Sequence, residues 1–168
     1  MPVQARERIY LICFRADLNV QGFNFPRQTS DIKLVRDILE DIPTGSEFAI
    51  VRPDIEMKNM ESPIVDPRSP KQIGRINKGG QGERIYSIDA AGITLSAYGG
   101  GAASKTGAFL INGEVRKLSP RECSRLQGFP EYFIIHPKKN IAYKQFGNSV
   151  SIPVLQAVFG EIIKHVDF

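Results

Sequence analysis

Cysteine, histidine and long apolar runs are all scarce in this sequence. The two cysteines and two histidines among 168 residues have no spacing typical of a metal site, so we predict no bound metal and reduced thiols. No apolar run approaches the roughly 20 residues that a membrane-spanning helix needs. Because no basic segment followed by an apolar one comes after Met1, we expect no secretory signal. These absences favour a cytoplasmic protein that does not associate with a membrane.

The composition is that of a globular protein with many loops. Hydrophobic residues make up 42% and charged residues 24% of the chain, and a chain of this length forms one domain or two small ones. Fifteen glycines and eleven prolines indicate that loops take a large share. The net charge of +4 is compatible with nucleic acid binding without establishing it.

Residues 78–101 combine two glycine clusters with two short β-type runs. The runs, residues 83–88 and 93–98, are rich in β-branched and aromatic residues, which predicts a hairpin. Because glycine lacks a Cβ and permits positive φ, both clusters can bring main chain close to another surface. Gln81 and Arg84 have side chains that can read base edges in a groove. The alternative is a plain hairpin with flexible ends.

The rest of the first half predicts few regular elements. Residues 8–14 form a nearly continuous apolar run and indicate a strand buried on both faces. Residues 30–42 predict a helix with an apolar stripe along one side, capped by Ser30. Four prolines and little periodicity predict a surface loop over residues 53–70. Shorter candidate strands are residues 47–52 and 73–76.

The second half carries stronger local signals. Asn112-Gly113 lies between two apolar runs and favours a two-residue β-hairpin. Ser119-Pro120-Arg121-Glu122 opens a helix with a capping box and with proline at its first position, and Gly128 ends that helix. Residues 145–149 are expected to form a turn before an amphipathic C-terminal helix over residues 152–163.

Three motifs, in this order, resemble those of bacterial DNA (cytosine-5) methyltransferases. They are Gln4-x-Arg6-x-Arg8 ahead of an apolar run, R-K-L-S-P-R-E-C-S-R-L-Q-G-F-P over residues 116–130, and Q-F-G-N-S-V over residues 145–150. The glycine-flanked stretch lies where that family has its target recognition domain. The resemblance covers residues 4–160. It implies a restriction–modification enzyme that uses S-adenosylmethionine and acts on double-stranded DNA at a GC-rich site such as GCGC.

The resemblance implies a pocket for a cytosine that has been flipped out of the duplex. In the family pattern Arg8 donates hydrogen bonds to this cytosine, and a guanidinium suits the role because it stays protonated. Arg6 and Gln4 would hold the pocket. Asn148 and Ser149 would contact S-adenosylmethionine.

The resemblance also implies DNA contacts in the glycine-flanked stretch. Gln81 would enter the space that the cytosine leaves and face the orphan guanine, because an amide both donates and accepts. Arg84 would donate to guanine O6 and N7 in the major groove, and Thr94 would reach the DNA backbone. Main-chain contacts are implied for Tyr98, Gly100 and Gly101.

Three family motifs that carry the chemistry are not in this sequence: a glycine-rich cofactor loop, a Pro-Cys dipeptide with the nucleophile, and a Glu-Asn-Val segment. The nucleophile must be an accessible thiolate that attacks C6 of cytosine. Cys13 lies in an apolar run and Cys123 on the capped helix, and neither follows proline, so we interpret both as structural. We therefore expect the C-terminal, target-recognition half of a methyltransferase, which is inactive alone. Either a second polypeptide carries the missing motifs, or the chain is a truncated product.

The alternative is a sequence-specific DNA-binding protein with no enzymatic role. Such a protein would need neither the pocket arginines Arg6 and Arg8 nor the cofactor residue Asn148. Their presence argues against it.

The predicted fold class is α/β: part of an S-adenosylmethionine-dependent methyltransferase sheet plus a small, mostly β lobe that recognises the DNA target. Residues 1–22 would be a strand segment of the catalytic lobe, residues 23–115 the target recognition domain and residues 116–140 the hinge helix region. Residues 141–168 would hold a C-terminal helix that returns to the catalytic lobe.

Overall fold

The computed structural model describes residues 3–27, 31–80 and 82–166. It has two 3-10 turns, Ala16–Leu18 and Val35–Ile38. The strands are β1 (Ile55–Met57), β2 (Gln72–Ile76), β3 (Arg84–Tyr86), β4 (Ala108–Ile111) and β5 (Glu114–Lys117). The helices are α1 (Pro120–Leu126), α2 (Lys139–Asn148) and α3 (Ile152–Ile163). A sheet followed by helices agrees with the predicted α/β class.

The sheet is mixed, and its strands lie in chain order from β1 to β5. Neighbouring strands are antiparallel except β3 and β4, which run parallel. β4 and β5 form the predicted hairpin, with Ile111 paired with Glu114. Asn112 and Gly113 have φ of 50° and 80°, and a two-residue turn of this kind requires positive φ at both positions. The strand predicted at residues 73–76 is confirmed as β2.

The hairpin predicted from residues 83–88 and 93–98 is wrong. Within the first run the strand is β3, and it pairs with β2 and β4. The second run lies beside the N-terminal segment, where the Ala5 N–H donates to the Gly92 carbonyl at 2.9 Å. Leu95 is buried in the larger apolar cluster. Burial of Leu95 and pairing with the N-terminal segment therefore separate the second run from the first.

The buried strand predicted at residues 8–14 is also wrong. The described residues include no strand there, and the side chains of Ile9 and Leu11 are 89% and 85% exposed. Cys13 is an exposed free thiol, which contradicts its predicted place inside a buried strand. A strand that is buried on both faces needs neighbouring strands and covering layers. The five described strands lie in residues 55–117 and do not supply them.

The helix predicted over residues 30–42 is reduced to the 3-10 turn Val35–Ile38, which buries its first and last residues. Ser30, its predicted cap, lies outside the described residues. The Glu40 N–H donates to the buried carboxylate of Glu122 at 2.9 Å. This tertiary hydrogen bond takes a main-chain donor that a longer helix would have used.

The structure also corrects the predictions for three other segments. Residues 47–52 run beside β5 through a single bridge between Ala49 and Arg116 and form no regular strand. The predicted loop at residues 53–70 contains β1. Most of the predicted turn at residues 145–149 is the last turn of α2, which ends at Asn148.

α1 begins and ends as predicted. The Ser119 hydroxyl accepts from the Glu122 N–H at 3.1 Å, and the Glu122 carboxylate accepts from the Ser119 N–H at 2.7 Å. This is a reciprocal capping box. The chain leaves the helix at Gly128, where φ is +81°. The Glu122 carboxylate also accepts two hydrogen bonds from the guanidinium of Arg116, at 2.7 and 2.8 Å, so a buried ion pair joins α1 to β5.

The sheet has an apolar cluster on each face. Tyr86 and Phe109 belong to the larger cluster, which also contains side chains of α1 and α2. Ile85 and Ala108 belong to the smaller one. Because successive side chains of a strand point to opposite faces, these adjacent residues place one cluster on either side of the sheet.

By length and composition alone, the stretch Lys139–Ile163 is apolar enough to cross a membrane. In the structure it consists of two helices of 10 and 12 residues, and of the three residues between them Ser149 has extended backbone with ψ of 174°. Each helix is shorter than the roughly 20 residues that a span requires. The predicted C-terminal helix is confirmed as α3.

Candidate DNA and cofactor site

The guanidinium of Arg6 joins three segments of the chain. It donates to the carbonyls of Leu95 at 3.1 Å, Gly147 at 3.0 Å and Ser149 at 2.8 Å. Partial burial, with a smaller effect of the nearby Arg8 charge, lowers the pKa of Arg6 from its ordinary value, but an arginine stays protonated at neutral pH. Arg6 therefore connects the N-terminal motif, the glycine-flanked residues 78–101 (the recognition stretch) and the predicted cofactor residues.

Gln4 holds the same N-terminal segment. Its buried side-chain amide donates to the Gln127 side-chain oxygen at 2.5 Å, and Gln127 donates in turn to the Phe146 carbonyl at 2.8 Å. These hydrogen bonds link the segment to α1 and α2. They agree with a holding role for Gln4 and Arg6, which stays a prediction.

Arg8 is exposed beside a cleft of about 270 Å³, which Ser151 and Val154 also line. Its hydrogen bond within the described residues goes to the carbonyl of the adjacent Glu7, at 2.9 Å. The other donors of the guanidinium have no partner in the described part of the chain and can bind a ligand. Hydrogen bonding of Arg8 to a flipped cytosine stays a prediction.

Asn148 and Ser149 lie where α2 ends. Asn148 is exposed, whereas the Ser149 hydroxyl donates to the Phe146 carbonyl at 2.9 Å. An exposed amide can both donate to and accept from a cofactor, so Asn148 fits one side of a cofactor site. The glycine-rich loop expected on the other side is absent from this sequence.

Gly147 is a contact that sequence reasoning missed. A Cβ added there would lie 2.3 Å from the Ala97 nitrogen and 2.4 Å from the Ser96 carbonyl carbon. α2 therefore lies directly against the main chain of the recognition stretch, an approach that only glycine permits. The glycine at the centre of the Q-F-G-N-S-V motif was the available signal.

The two glycine clusters contact each other. Gly82 has φ of +86°, and a Cβ added there would lie 2.5 Å from the Gly100 carbonyl oxygen. Gly101 has φ of +94°, and its added Cβ would lie 2.8 Å from the Gly82 oxygen. The Ala103 N–H donates to that same oxygen at 2.8 Å. The surface that each cluster approaches is therefore the other cluster, while Gly100 and Gly101 remain exposed.

Arg84 is exposed at the start of β3, and its Nε donates to the Gly79 carbonyl at 3.3 Å. It lies opposite Arg75 of β2, which forms an ion pair with Glu56 at 2.8 Å. Arg84 itself has no carboxylate partner among the described residues, so its charge is available to a ligand. Gln81 lies outside the described residues.

Thr94 and Tyr98 lie on the same recognition stretch. The Thr94 hydroxyl donates to the Ala5 carbonyl at 2.8 Å, which holds the N-terminal segment in place. Tyr98 is 69% exposed, and the Lys144 amine lies 5.2 Å from the centre of its ring. Lys144, which sequence reasoning did not single out, thus places a positive charge from α2 beside this stretch.

The surroundings of Cys123 do not suit a nucleophile. Burial raises the pKa of the Cys123 thiol well above its ordinary value, and the neighbouring Glu122 carboxylate raises it further. A protonated thiol does not attack, which agrees with a structural role. Over the described ranges no group of three or more His, Cys, Asp or Glu side chains is placed to hold a metal.

Comparison with known proteins identifies the family. Residues 3–164 match the family described as C-5 cytosine-specific DNA methylase. The chain belongs to this family. Such methylases use S-adenosylmethionine and bind DNA.

Two bacterial relatives show how much of a methylase this chain represents. It is 48% identical to the type II methyltransferase M.HhaI of Haemophilus parahaemolyticus over 165 residues, covering 98% of this chain and 50% of M.HhaI. It is 31% identical to the type II methyltransferase M.HpaII of Haemophilus parainfluenzae, covering 96% of this chain and 47% of M.HpaII. The chain spans about half the length of these relatives.

Two solved structures share the methylase fold of this chain. The S. pombe Dnmt2 methyltransferase aligns with a TM-score of 0.57 at 16% identity, over 83% of this chain and 44% of Dnmt2. The Entamoeba histolytica methyltransferase EhMeth aligns with a TM-score of 0.59 at 14% identity, over 94% of this chain and 53% of EhMeth. At these identities the likeness concerns the fold alone.

Proposed function

We propose that this chain is the C-terminal, target-recognition half of a DNA (cytosine-5) methyltransferase of a restriction–modification system. In this proposal it acts in the cytoplasm and needs a second half that carries the cofactor loop, the Pro-Cys nucleophile and the Glu-Asn-Val segment. The half present here selects a GC-rich site and holds the target cytosine out of the duplex.

One observation carries the proposal: the Arg6 guanidinium donates to carbonyls of both the recognition stretch and the C-terminal end of α2, where the predicted cofactor residues lie. A protein that only binds DNA does not need a hydrogen-bonded link between these two segments. A methyltransferase needs them together, because the cytosine and the methyl donor must meet.

Each predicted site residue has a chemical task in this proposal. Arg8 donates to the flipped cytosine from the cleft beside α3. Asn148 holds one side of S-adenosylmethionine, which supplies the methyl group when bound. Arg84 donates to guanine O6 and N7, which accept in one plane. Gln81 faces the orphan guanine, and Thr94 contacts the DNA backbone, as do Tyr98, Gly100 and Gly101 through their main chain.

The second half would cover the apolar side chains that this chain leaves exposed. Residues 8–14 expose Ile9 and Leu11, and α3 exposes Phe159 and Ile163 by 57% and 58%. Exposed apolar patches often mark interaction sites. We expect a stable complex with the second half, or self-association of the isolated chain, which light scattering would detect. A strictly monomeric chain that binds no second half would contradict this.

Complementation tests the central claim. The purified chain, incubated with duplex DNA and labelled S-adenosylmethionine, should transfer no methyl group, because it has no Pro-Cys nucleophile. Addition of the N-terminal half of a close relative such as M.HhaI should restore label at cytosine C5. Transfer by the chain alone, or no transfer by a stable complex of the two halves, would overturn the proposal.

Arg84→Ala tests the reading of guanine in the complemented enzyme. Loss of a bidentate contact should reduce discrimination at one guanine by about 1–3 kcal/mol, seen as a smaller rate ratio between the target and duplexes changed at that position. Arg75→Ala is the matched control, since Arg75 lies opposite Arg84 and pairs with Glu56. Equal slowing of every duplex by Arg84→Ala would show that Arg84 is a backbone contact.

A DNA-binding protein without catalysis is the second candidate. One observation favours it: the two glycine clusters and Arg84 are assembled within this chain alone. Site-specific binding combined with failure of every complementation would support this candidate.

A further inference from the structure

A groove rich in lysine lies where α2 begins, outside the predicted site residues. Its volume is about 500 Å³, and Lys117, Lys138 and Lys139 line it together with Glu47 and Phe48. We name these three lysines and the space between them the lysine groove. Sequence reasoning assigned no function to any of the three.

The groove has an excess of positive charge. Lys139 forms an ion pair with Glu47, and its amine lies 5.5 Å from the centre of the Phe48 ring. Lys117 and Lys138 have no carboxylate partner within the described residues. Glu47 is the one acidic residue of the lining, so two positive charges remain uncompensated and favour an anionic ligand.

The lysine groove is continuous with the proposed DNA-binding surface. Lys105 donates to the side-chain oxygen of Asn140, which also lines the groove, at 3.4 Å. Lys105 follows Ser104, whose N–H donates to the Gly101 carbonyl at 3.1 Å. Further along α2, Lys144 lies over the exposed ring of Tyr98. α2 therefore connects the glycine clusters to the groove.

We infer that the lysine groove binds phosphates of the duplex that flanks the target site, an inference that rests on the proposed function. Lys138 and Lys139 lie where α2 begins, and Lys144 lies farther along the same helix beside Tyr98 of the recognition stretch. The lysines of α2 therefore extend the positively charged surface from the recognition stretch to the groove.

The lining favours phosphates over unstacked bases. Tyr143 lines the groove but is buried, and its hydroxyl donates to the Leu118 carbonyl at 2.7 Å. The Lys139 amine lies over the ring of Phe48. Proteins that bind single strands stack bases on exposed aromatic faces, whereas lysines contact the backbone without reading sequence.

The test compares two triple variants of the full chain with equal charge. One is Lys117→Gln, Lys138→Gln, Lys139→Gln; the control is Lys33→Gln, Lys58→Gln, Lys164→Gln, at positions outside the groove and α2. Fluorescence anisotropy would measure affinity for a GCGC duplex, a scrambled duplex and a single strand, between about 50 and 200 mM salt. Circular dichroism would confirm that both variants fold.

The groove variant should bind both duplexes at least about tenfold more weakly than the control near 0.1 M salt. The slope of log affinity against log salt should become shallower by roughly 2 to 3, or about 0.9 for each lost phosphate contact. The ratio of affinities for the GCGC and scrambled duplexes should stay the same. If the triple variant does not fold, the single variant Lys138→Gln takes its place, with Lys164→Gln as the control. Lys138→Gln should then make the slope of log affinity against log salt shallower by about one.

Equal affinities and slopes for the groove and control variants would overturn the inference while the proposed function stands. A loss confined to the single strand, or to the GCGC duplex alone, would also overturn it. If the wild-type chain and its complex with a second half bind no duplex, the inference and the proposed function both fail.

Discussion

The sheet with α1 and α2 differs from the two ends of the chain in what becomes of its apolar side chains. In the sheet region the rings and branched chains of Phe109, Ile85 and Leu118 are fully buried. At the ends, Ile9 is 89% exposed and Phe159 57% exposed. Local sequence is apolar in both regions, so hydrophobicity alone does not account for the difference.

The difference lies in the partners that each region finds. Strands β2 to β5 pair with one another in a single sheet, and α1 and α2 pack on one face of that sheet. Residues 8–14 have no strand beside them, and in α3 one residue, Val158, is buried among those described. The ends therefore leave apolar side chains exposed, whereas the sheet region buries its apolar side chains in a core.

Truncation of one large side chain in each region should give the largest contrast. Phe109→Ala should lower the free energy of unfolding by about 3–5 kcal/mol, because it removes a buried ring and leaves a cavity. Ile9→Ala should change it by less than about 0.5 kcal/mol. Urea unfolding followed by circular dichroism would measure both. Similar losses would mean that the N-terminal segment packs within this chain.

Removal of one charge from the buried ion pair should have the next largest effect. Glu122→Gln leaves the buried guanidinium of Arg116 without its counter-charge, and breaking such a pair costs about 3–5 kcal/mol. Combining it with Arg116→Met should recover part of the loss, since no unpaired charge then remains buried. Denaturant midpoints of the two variants would measure this. No recovery in the double variant would argue that the hydrogen bonds of Glu122, rather than charge, dominate.

Alanine at two helical glycines should give effects of opposite sign. Gly147→Ala brings a Cβ against the main chain of residues 96–97 and should destabilise the chain by about 1–3 kcal/mol. Gly160→Ala in α3 meets nothing within 4 Å and should stabilise it by about 0.5–1 kcal/mol. Thermal unfolding would measure both, and destabilisation by Gly160→Ala would place an unseen contact on α3.

Surface ion pairs should give the smallest effects and should not distinguish the regions. Hydrogen bonds from Arg125 and Lys164 lower the pKa of Glu131 and of Glu161 from their ordinary values. Each pair therefore stabilises the fold above the pKa of the unfolded glutamate, and this contribution is lost as pH falls through the lower, folded pKa. The dependence of the unfolding midpoint on pH should be slightly weaker in the Glu131→Gln and Glu161→Gln variants than in the wild-type chain. A large effect from either would contradict their exposure.

Short-range signals predicted the β4–β5 hairpin and α1 well. The Asn112-Gly113 hairpin, the capping box at Ser119 and the helix end at Gly128 each depend on residues within a few positions of one another. Their conformations are set by positive φ or by local hydrogen bonds, which neighbouring residues determine. The candidate site was predictable only through the resemblance, because its residues lie far apart in sequence.

The sequence by itself determined the family, the β4–β5 hairpin, the capped α1 and the absence of the motifs that carry the chemistry, because each of these is written in consecutive residues. Tertiary structure decided that residues 93–98 leave β3 and lie beside the N-terminal segment. It also decided that Gly147 brings α2 against Ala97 and that Arg6 joins three distant carbonyls. These arrangements depend on close packing and hydrogen bonds between residues 50 to 143 positions apart. No local pattern in the sequence encodes which of those segments will meet.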